Sequence, residues 1–222
     1  MAISKHMELG SLCYSFPQQH DGMYQMIYDQ ENLPEVIRRS LQNREPRQIH
    51  DAPSHYKHAG VLIGLMKEEG IHKVLFTKRT DRVEHHKGQI SFPGGAADEE
   101  DDSIEETVLR ESCEEIGACE EVVDLLGRID DALTLESGFI VHPFVGLFPS
   151  RYEFSISRSE VKRLIKVPWN VLVECHKEKK TYLMEDGGGT KYKTPAFEFN
   201  GDVIWGATAR MMENFIDILA RK

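Results

Sequence analysis

Apolar positions in this chain fall into short runs divided by charged or glycine-bearing turns, and their period changes along the sequence. Residues 60–66 and 73–77 are nearly continuous apolar runs separated by the polar stretch 67–72, a pattern that predicts a hairpin or two neighbouring strands. Residues 89–92 can form another short strand, stopped by Pro93, Gly94 and Gly95. The period then becomes helical. Ser103 and Glu106 have the spacing of a capping box, and a helix from there runs to Ile116 and stops at Gly117. Further strands read at 122–129, 133–135, 140–148, 181–184, 196–199 and 203–205, with a short helix at 160–165 before Pro168. Residues 207–220 form a last helix whose apolar side carries Met211, Met212, Phe215, Ile218 and Leu219. Gly187, Gly188 and Gly189 mark a loop tip.

Upstream, residues 1–56 read as an N-terminal extension, an arm against the main domain or a dimer element. One helix is expected there at 34–43, with Val36, Ile37 and Leu41 on one side, before the breaks at Pro46 and Pro53. The main domain is expected over 57–222. Strands and helices alternate irregularly, which suits a mixed α/β or α+β fold better than a doubly wound parallel sheet.

Composition narrows the function. In 222 residues, 40% apolar content supports one sizeable core, and the formal charge of −10 argues against nucleic acid backbone as the main partner. A small anionic substrate stays compatible with that charge when a divalent cation reverses the local field. Cys13, Cys113, Cys119 and Cys175 include no C-x-x-C pair and suggest neither a zinc site nor a disulfide framework. Four reduced thiols in a cytoplasmic protein are expected. No run approaches the length of a membrane span, and Lys5, His6 and Glu8 interrupt the start as a signal sequence.

The candidate chemistry lies on the helix after Gly95. At roughly 100° per residue, Ile104, Val108, Leu109, Ser112 and Ile116 share one face. Glu111 and Glu115 are one turn apart, Glu114 lies at the edge of the same arc, and Arg110 can pair with Glu114. Carboxylates this close repel one another, and hard divalent cations relieve the repulsion. The bland alternative is an exposed acidic face laced with ion pairs.

The stretch from Arg110 to Ala118, RESCEEIGA, resembles the second half of the Nudix hydrolase signature, G-x5-E-x7-R-E-U-x-E-E-x-G-U, where U is apolar. In the first half, Asp101 stands in place of Glu and one extra residue precedes Arg110. The resemblance implies an α/β/α sandwich around a mixed sheet. It implies Glu111 and Glu115 as metal ligands, Glu114 as a further ligand or base, Arg110 as the group that orients a carboxylate, and the Gly95 carbonyl in the metal shell. Upstream, LFTKR from Leu75 to Arg79 and GQISFPGG from Gly88 to Gly95 look like the coenzyme A diphosphatase branch. So do residues 137–145 and 204–210. Phe76 and Thr80 vary on the branch pattern, and Glu84 stands where that branch has Arg, with Arg82 two residues away.

Lys78, Arg79, Arg82, His85, His86 and Lys87 form a basic stretch leading into this loop. Arg79, Arg82, Lys87 and Gly94 are read as substrate contacts, since guanidinium groups suit phosphate. Glu160 is read as a catalytic base or extra ligand from outside the helix, with Glu136 a weaker candidate. Trp205 could stack on a base or be buried at the start of the last helix. The expected reaction is hydrolysis of a diphosphate bond with Mg²⁺ or Mn²⁺, two or three ions against Glu111, Glu114 and Glu115. The leading substrate is coenzyme A, giving 3′,5′-ADP and 4′-phosphopantetheine. The alternatives are ADP-ribose or another nucleoside diphosphate sugar, and a non-catalytic nucleotide-binding module. Neither a membrane nor nucleic acid is an expected partner; a homodimer is left open.

Overall fold

The computed structural model describes residue 28 and residues 31–80, 88–134, 137–185 and 191–221. Its centre is β1 (Lys57–Glu68), which turns back into β2 (Ile71–Arg79), with Gly64 opposite Leu75 and Glu68 opposite Ile71. The hairpin read from the two apolar runs is thus present. The other edge of β1 lies parallel to β7 (Phe139–Leu147), with Gly60 opposite His142. β3 (Ile90–Ser91) pairs with β2 and β4 (Gly94–Ala96) with β1, beyond the stretch where those two pair with each other. β5 (Asp124–Arg128) and β6 (Ala132–Thr134) pair antiparallel with β7, and β8 (Val161–Pro168) pairs antiparallel with β2. The sheet is therefore mixed.

Burial on both faces explains why the central strands read as continuous apolar runs rather than alternating ones. On one face Leu62, Met66, Leu75, Phe144 and Phe148 meet Val108 and Ile116 of α2 (Ile104–Ile116). On the other, Ile63, Leu65, Val74, Phe76 and Val145 join a larger core with α1 (Leu33–Gln42), α3 (Trp169–Lys177) and α4 (Gly206–Ala220). Helices on both faces make the α/β/α sandwich that the sequence implied. From the upstream region, α1 sinks Leu33, Ile37 and Leu41 into the larger core and lies against β5 and α4. Two small hairpins complete the chain: β9 (Thr181–Glu185) with β10 (Lys191–Pro195), and β11 (Phe197–Phe199) with β12 (Asp202–Ile204).

Several expectations are corrected. Residues 160–165 are not helical: Val161 starts β8, whose Ile165 and Val167 alternate into the core while β2 satisfies its backbone. The helix at this point is α3, which begins after Pro168 and buries Trp169, Leu172, Val173 and Cys175. Residues 120–122 form a single 3₁₀ turn, so the strand expected from 122 starts at Asp124. β10 was not anticipated, its Lys-Tyr-Lys-Thr sequence giving no apolar run. The cysteines are not all reduced: Cys113 and Cys119 form a disulfide, and Cys175 is a free, buried thiol. Gly117, left-handed at φ 70°, folds the chain back over the last turn of α2, which brings residues of sequence separation 6 to a Cα distance of 4.2 Å. No helix among the described residues is long and apolar enough to cross a membrane.

Candidate active site

The helix that carries the acids is built as its sequence dictates. Ser103 accepts from the Glu106 amide and Glu106 from the Asp102 amide, which satisfies free N–H groups of the first turn. Thr107, Val108, Ser112, Glu115 and Ile116 form its buried side. Glu115 is the charged member of that side, only 4% exposed. Leu109, expected on that side, instead lines a surface cavity beside Cys113 and Cys119.

The segment from Pro93 through β4 runs directly against these acids. Gly94 donates its N–H to Glu115 Oε2 at 3.2 Å. A Cβ on Gly95 would fall onto the Glu111 carboxylate, and one on Gly94 onto the Gly60 carbonyl. Only residues without a side chain let this backbone approach both the helix and β1 so closely.

Arg110 organises the near side. Its Nε and Nη2 hold Asp101 at 2.9 and 3.0 Å, and Nη1 reaches Glu111 Oε1 at 2.8 Å and Glu114 Oε1 at 3.5 Å. Nη2 also donates to the Ala96 carbonyl at 3.2 Å. The bonds from Arg110 hold the Asp101 carboxyl far below the usual carboxylate range, and Thr107 Oγ1 adds another at 2.8 Å. Asp101 thus pairs with Arg110 despite its shorter side chain and the extra residue between them. The signal was the count from Gly95 to Asp101, but the pairing with Arg110 depends on the loop's path.

Glu160 comes from outside the helix. The Thr80 amide donates to its carbonyl at 2.8 Å, and the Ser157 amide donates to the Glu115 carbonyl at 2.9 Å. The turn before β8 is therefore fastened to the end of β2 and to the end of α2 at once. Burial raises the Glu115 carboxyl to about 7, with Glu111 and Glu160 adding repulsion against the Gly94 bond and Arg79. Burial also raises Glu111, assisted by Glu114 and Glu160 and opposed by Arg110. Arg79 Nη1 stands 3.7 Å from Glu115 Oε1.

Of the residues singled out from sequence, Glu111, Glu115, Glu160, Gly94, Gly95, Arg79 and Arg110 come together here. Glu114 points outward, its side chain 62% exposed, on the rim of the group. Arg82, Glu84, His85, His86, Lys87 and Glu136 lie outside the described residues. Trp205 stacks on Tyr182 with ring centroids 6.3 Å apart. One arrangement had no sequence signal. His58 Nδ1 is 2.8 Å from His142 Nε2, and His142 Nδ1 is 2.8 Å from Asp131, which also accepts from Arg128.

Among the described residues no three acidic, imidazole or thiol groups converge tightly enough to form a ready-made cage. The donor set nevertheless fits a hard divalent cation. Burial raises the carboxyls of Glu111, partly buried, and Glu115, buried, a cost that a bound cation would offset, and the Gly95 backbone lies against Glu111.

A mixed sheet between helices, with paired acids facing a Pro-Gly-Gly loop, defines a hydrolase of diphosphate bonds. The model of the NUDIX domain matches residues 56–170, and the chain belongs to the Nudix family, whose enzymes generally use divalent metals on nucleoside diphosphate derivatives. It is 36% identical over 183 residues to the protein described as uncharacterized Nudix hydrolase NudL from Yersinia enterocolitica, covering 81% of this chain and 89% of that one. A protein of the same description from Photorhabdus laumondii is 30% identical over 167 residues, covering 75% and 86%. Solved structures give the fold. The MutT protein from Methanosarcina mazei aligns with a TM-score of 0.50 at 20% identity, over 78% of this chain and 100% of that one. A MutT/nudix family protein from Enterococcus faecalis aligns at 0.50 and 14%, over 92% and 76%.

Proposed function

We propose that this protein hydrolyses the diphosphate of coenzyme A to 3′,5′-ADP and 4′-phosphopantetheine. The observation that carries the chemistry is the pair Glu111, partly buried, and Glu115, buried, both raised by desolvation and set against the Gly94–Gly95 backbone. The residues from Leu75 to Arg79 and from Gly88 to Gly95 support the substrate, because they match the coenzyme A diphosphatase branch before the shared signature begins.

Glu111 and Glu115, with Glu114 and the Gly95 carbonyl, would hold Mg²⁺ or Mn²⁺. When bound, such a cation supplies charge neutralisation at the diphosphate and acidifies a coordinated water. Arg110, itself fixed by Asp101, sets the direction of the Glu111 carboxylate. Arg79 lies beside Glu115, where its guanidinium can take a phosphate oxygen. Glu114 or Glu160 accepts the proton of the attacking water; the fastening of the Glu160 turn to both β2 and α2 supports that role for Glu160. Arg82 and Lys87, read from the sequence as substrate contacts, are the further cations proposed to take phosphate oxygens.

The test is product analysis with Mg²⁺ or Mn²⁺ on coenzyme A, ADP-ribose, NADH and dinucleoside polyphosphates. Cleavage of coenzyme A to the two stated products is expected, with Glu115→Gln lowering turnover at least a hundredfold. Cleavage of ADP-ribose but not coenzyme A would overturn the substrate, and full activity in Glu115→Gln would overturn the site.

A further inference from the structure

A cavity of about 550 Å³ opens on the sheet face opposite α2, between the 47–49 segment, the start of β6, β10 and α4. Its volume falls in the range of small-molecule pockets, roughly 300–1,000 Å³. From β4 to β6 there are three strand spacings, through β1 and β7, so the β6 wall of the cavity lies about 14 Å across the sheet from Gly95 at roughly 4.8 Å per spacing.

Its walls are apolar: Leu133, Pro195 and Met211 line it. Its charged groups are not balanced. Two carboxylates border it, and both are already engaged. Asp130 accepts from Arg44, the Arg47 amide and Asn214, and Asp131 from Arg128, His142 and the Ile49 amide. The cations are not so engaged. Among the described residues Arg47 and Lys193 meet no carboxylate, and Arg210 donates only to the Leu133 carbonyl, at 2.8 Å. Two further polar atoms on the lining residues are buried without a partner, Thr194 Oγ1 and Asn214 Oδ1. Thr194 is 3% exposed, so its hydroxyl has given up water without gaining a protein partner among the described residues.

We infer that this cavity is a binding site for a small organic anion, a phosphate or carboxylate on an apolar body. The apolar part lies between Leu133, Pro195 and Met211, and the anionic end meets Arg47, Lys193 and Arg210 at the mouth. Such a group could be the far end of the diphosphate substrate reaching across the sheet, or a separate small molecule. The site follows from its own lining and stands whether or not coenzyme A is the substrate.

The probe is 1-anilinonaphthalene-8-sulfonate, an anion on an apolar aromatic body, followed by fluorescence in titrations of the folded protein. The comparison is the double variant Arg47→Glu with Lys193→Glu. Both side chains are exposed, so the reversal is expected to leave the fold intact, which circular dichroism checks. Saturable binding that weakens at least tenfold in the variant is the expected result. No binding, or equal binding by both proteins, overturns the site. Kinetics on whichever diphosphate is cleaved then names the source: a raised KM in the variant assigns the cavity to the substrate's far end, and an unchanged KM assigns it to a separate ligand.

Discussion

At the scale of single residues, the candidate active site is a set of charges that need one another. Asp101 touches no reacting group in the proposed reaction; it holds Arg110, which holds Glu111. Asp101→Asn keeps the shape but loses the charge that fixes the guanidinium. Turnover on the cleaved diphosphate is expected to fall tenfold or more with KM changed less, and steady-state kinetics reads that split. Asp101→Ala with unchanged kcat would remove the positioning role. Across the sheet, Asp131 links pH to stability. Burial alone would raise its carboxyl, but bonds from His142, Arg128 and the Ile49 amide outweigh that and bring it from 3.8 to about 2. Because the folded value is depressed, the stabilisation is fully present above about pH 4 and is lost as pH falls through 2. It is on the order of 2 kcal/mol. The urea-midpoint difference between the wild type and Asp131→Asn is expected to narrow steadily from pH 5 to pH 2; a constant difference would contradict the linkage.

At the scale of elements, α2 is secured at both ends. Ser103 and Glu106 cap its start, and at its far end Gly117 reverses the chain so that Cys119 closes on Cys113. Closing so short a loop restricts the unfolded chain by about 2 kcal/mol in the entropic account. Reduction with dithiothreitol, or Cys113→Ser with Cys119→Ser, is expected to lower the thermal midpoint by several degrees. Calorimetry under oxidising and reducing conditions checks it, and identical midpoints would show that the bridge adds nothing. β8 teaches a related point. Residues 160–165 have no strong period of their own, and their strand forms because β2 offers an open edge and the larger core takes Ile165 and Val167.

At the scale of the whole molecule, the Pro93–Ala96 segment and α2 rest on a sheet whose other face is covered from elsewhere. The family match spans residues 56–170, whereas α1, all but the start of α3, and α4 lie outside it. Those helices bury Leu33, Ile37, Leu172, Met212 and Phe215 against the face shared by Ile63 and Phe76. A fragment holding only residues 56–170 is therefore expected not to fold cooperatively, as denaturant titration would show. In the full chain, Ile37→Ala is expected to cost about 2–5 kcal/mol by leaving a cavity between α1 and the core. A loss below about 0.5 kcal/mol would mean that α1 is not part of the cooperative unit.

The α2 segment was legible from sequence because its information is local: a cap, a terminator and acids one turn apart need only neighbouring residues. The β1–β2 hairpin was legible for the same reason. Other features joined positions far apart in the chain, and only the tertiary structure decided them. The Cys113–Cys119 bridge depends on the path after Gly117. The pairing of Asp101 with Arg110 depends on how the extra loop residue is absorbed. The nearness of Glu160 to Glu115 depends on a turn tied to two elements. The His58–His142–Asp131 chain and the cavity beneath β10 each draw on separate segments, whose partners no spacing reveals. Local physics fixed where the acids sit on their helix; the packing of distant segments decided which charges meet them and which remain unmatched.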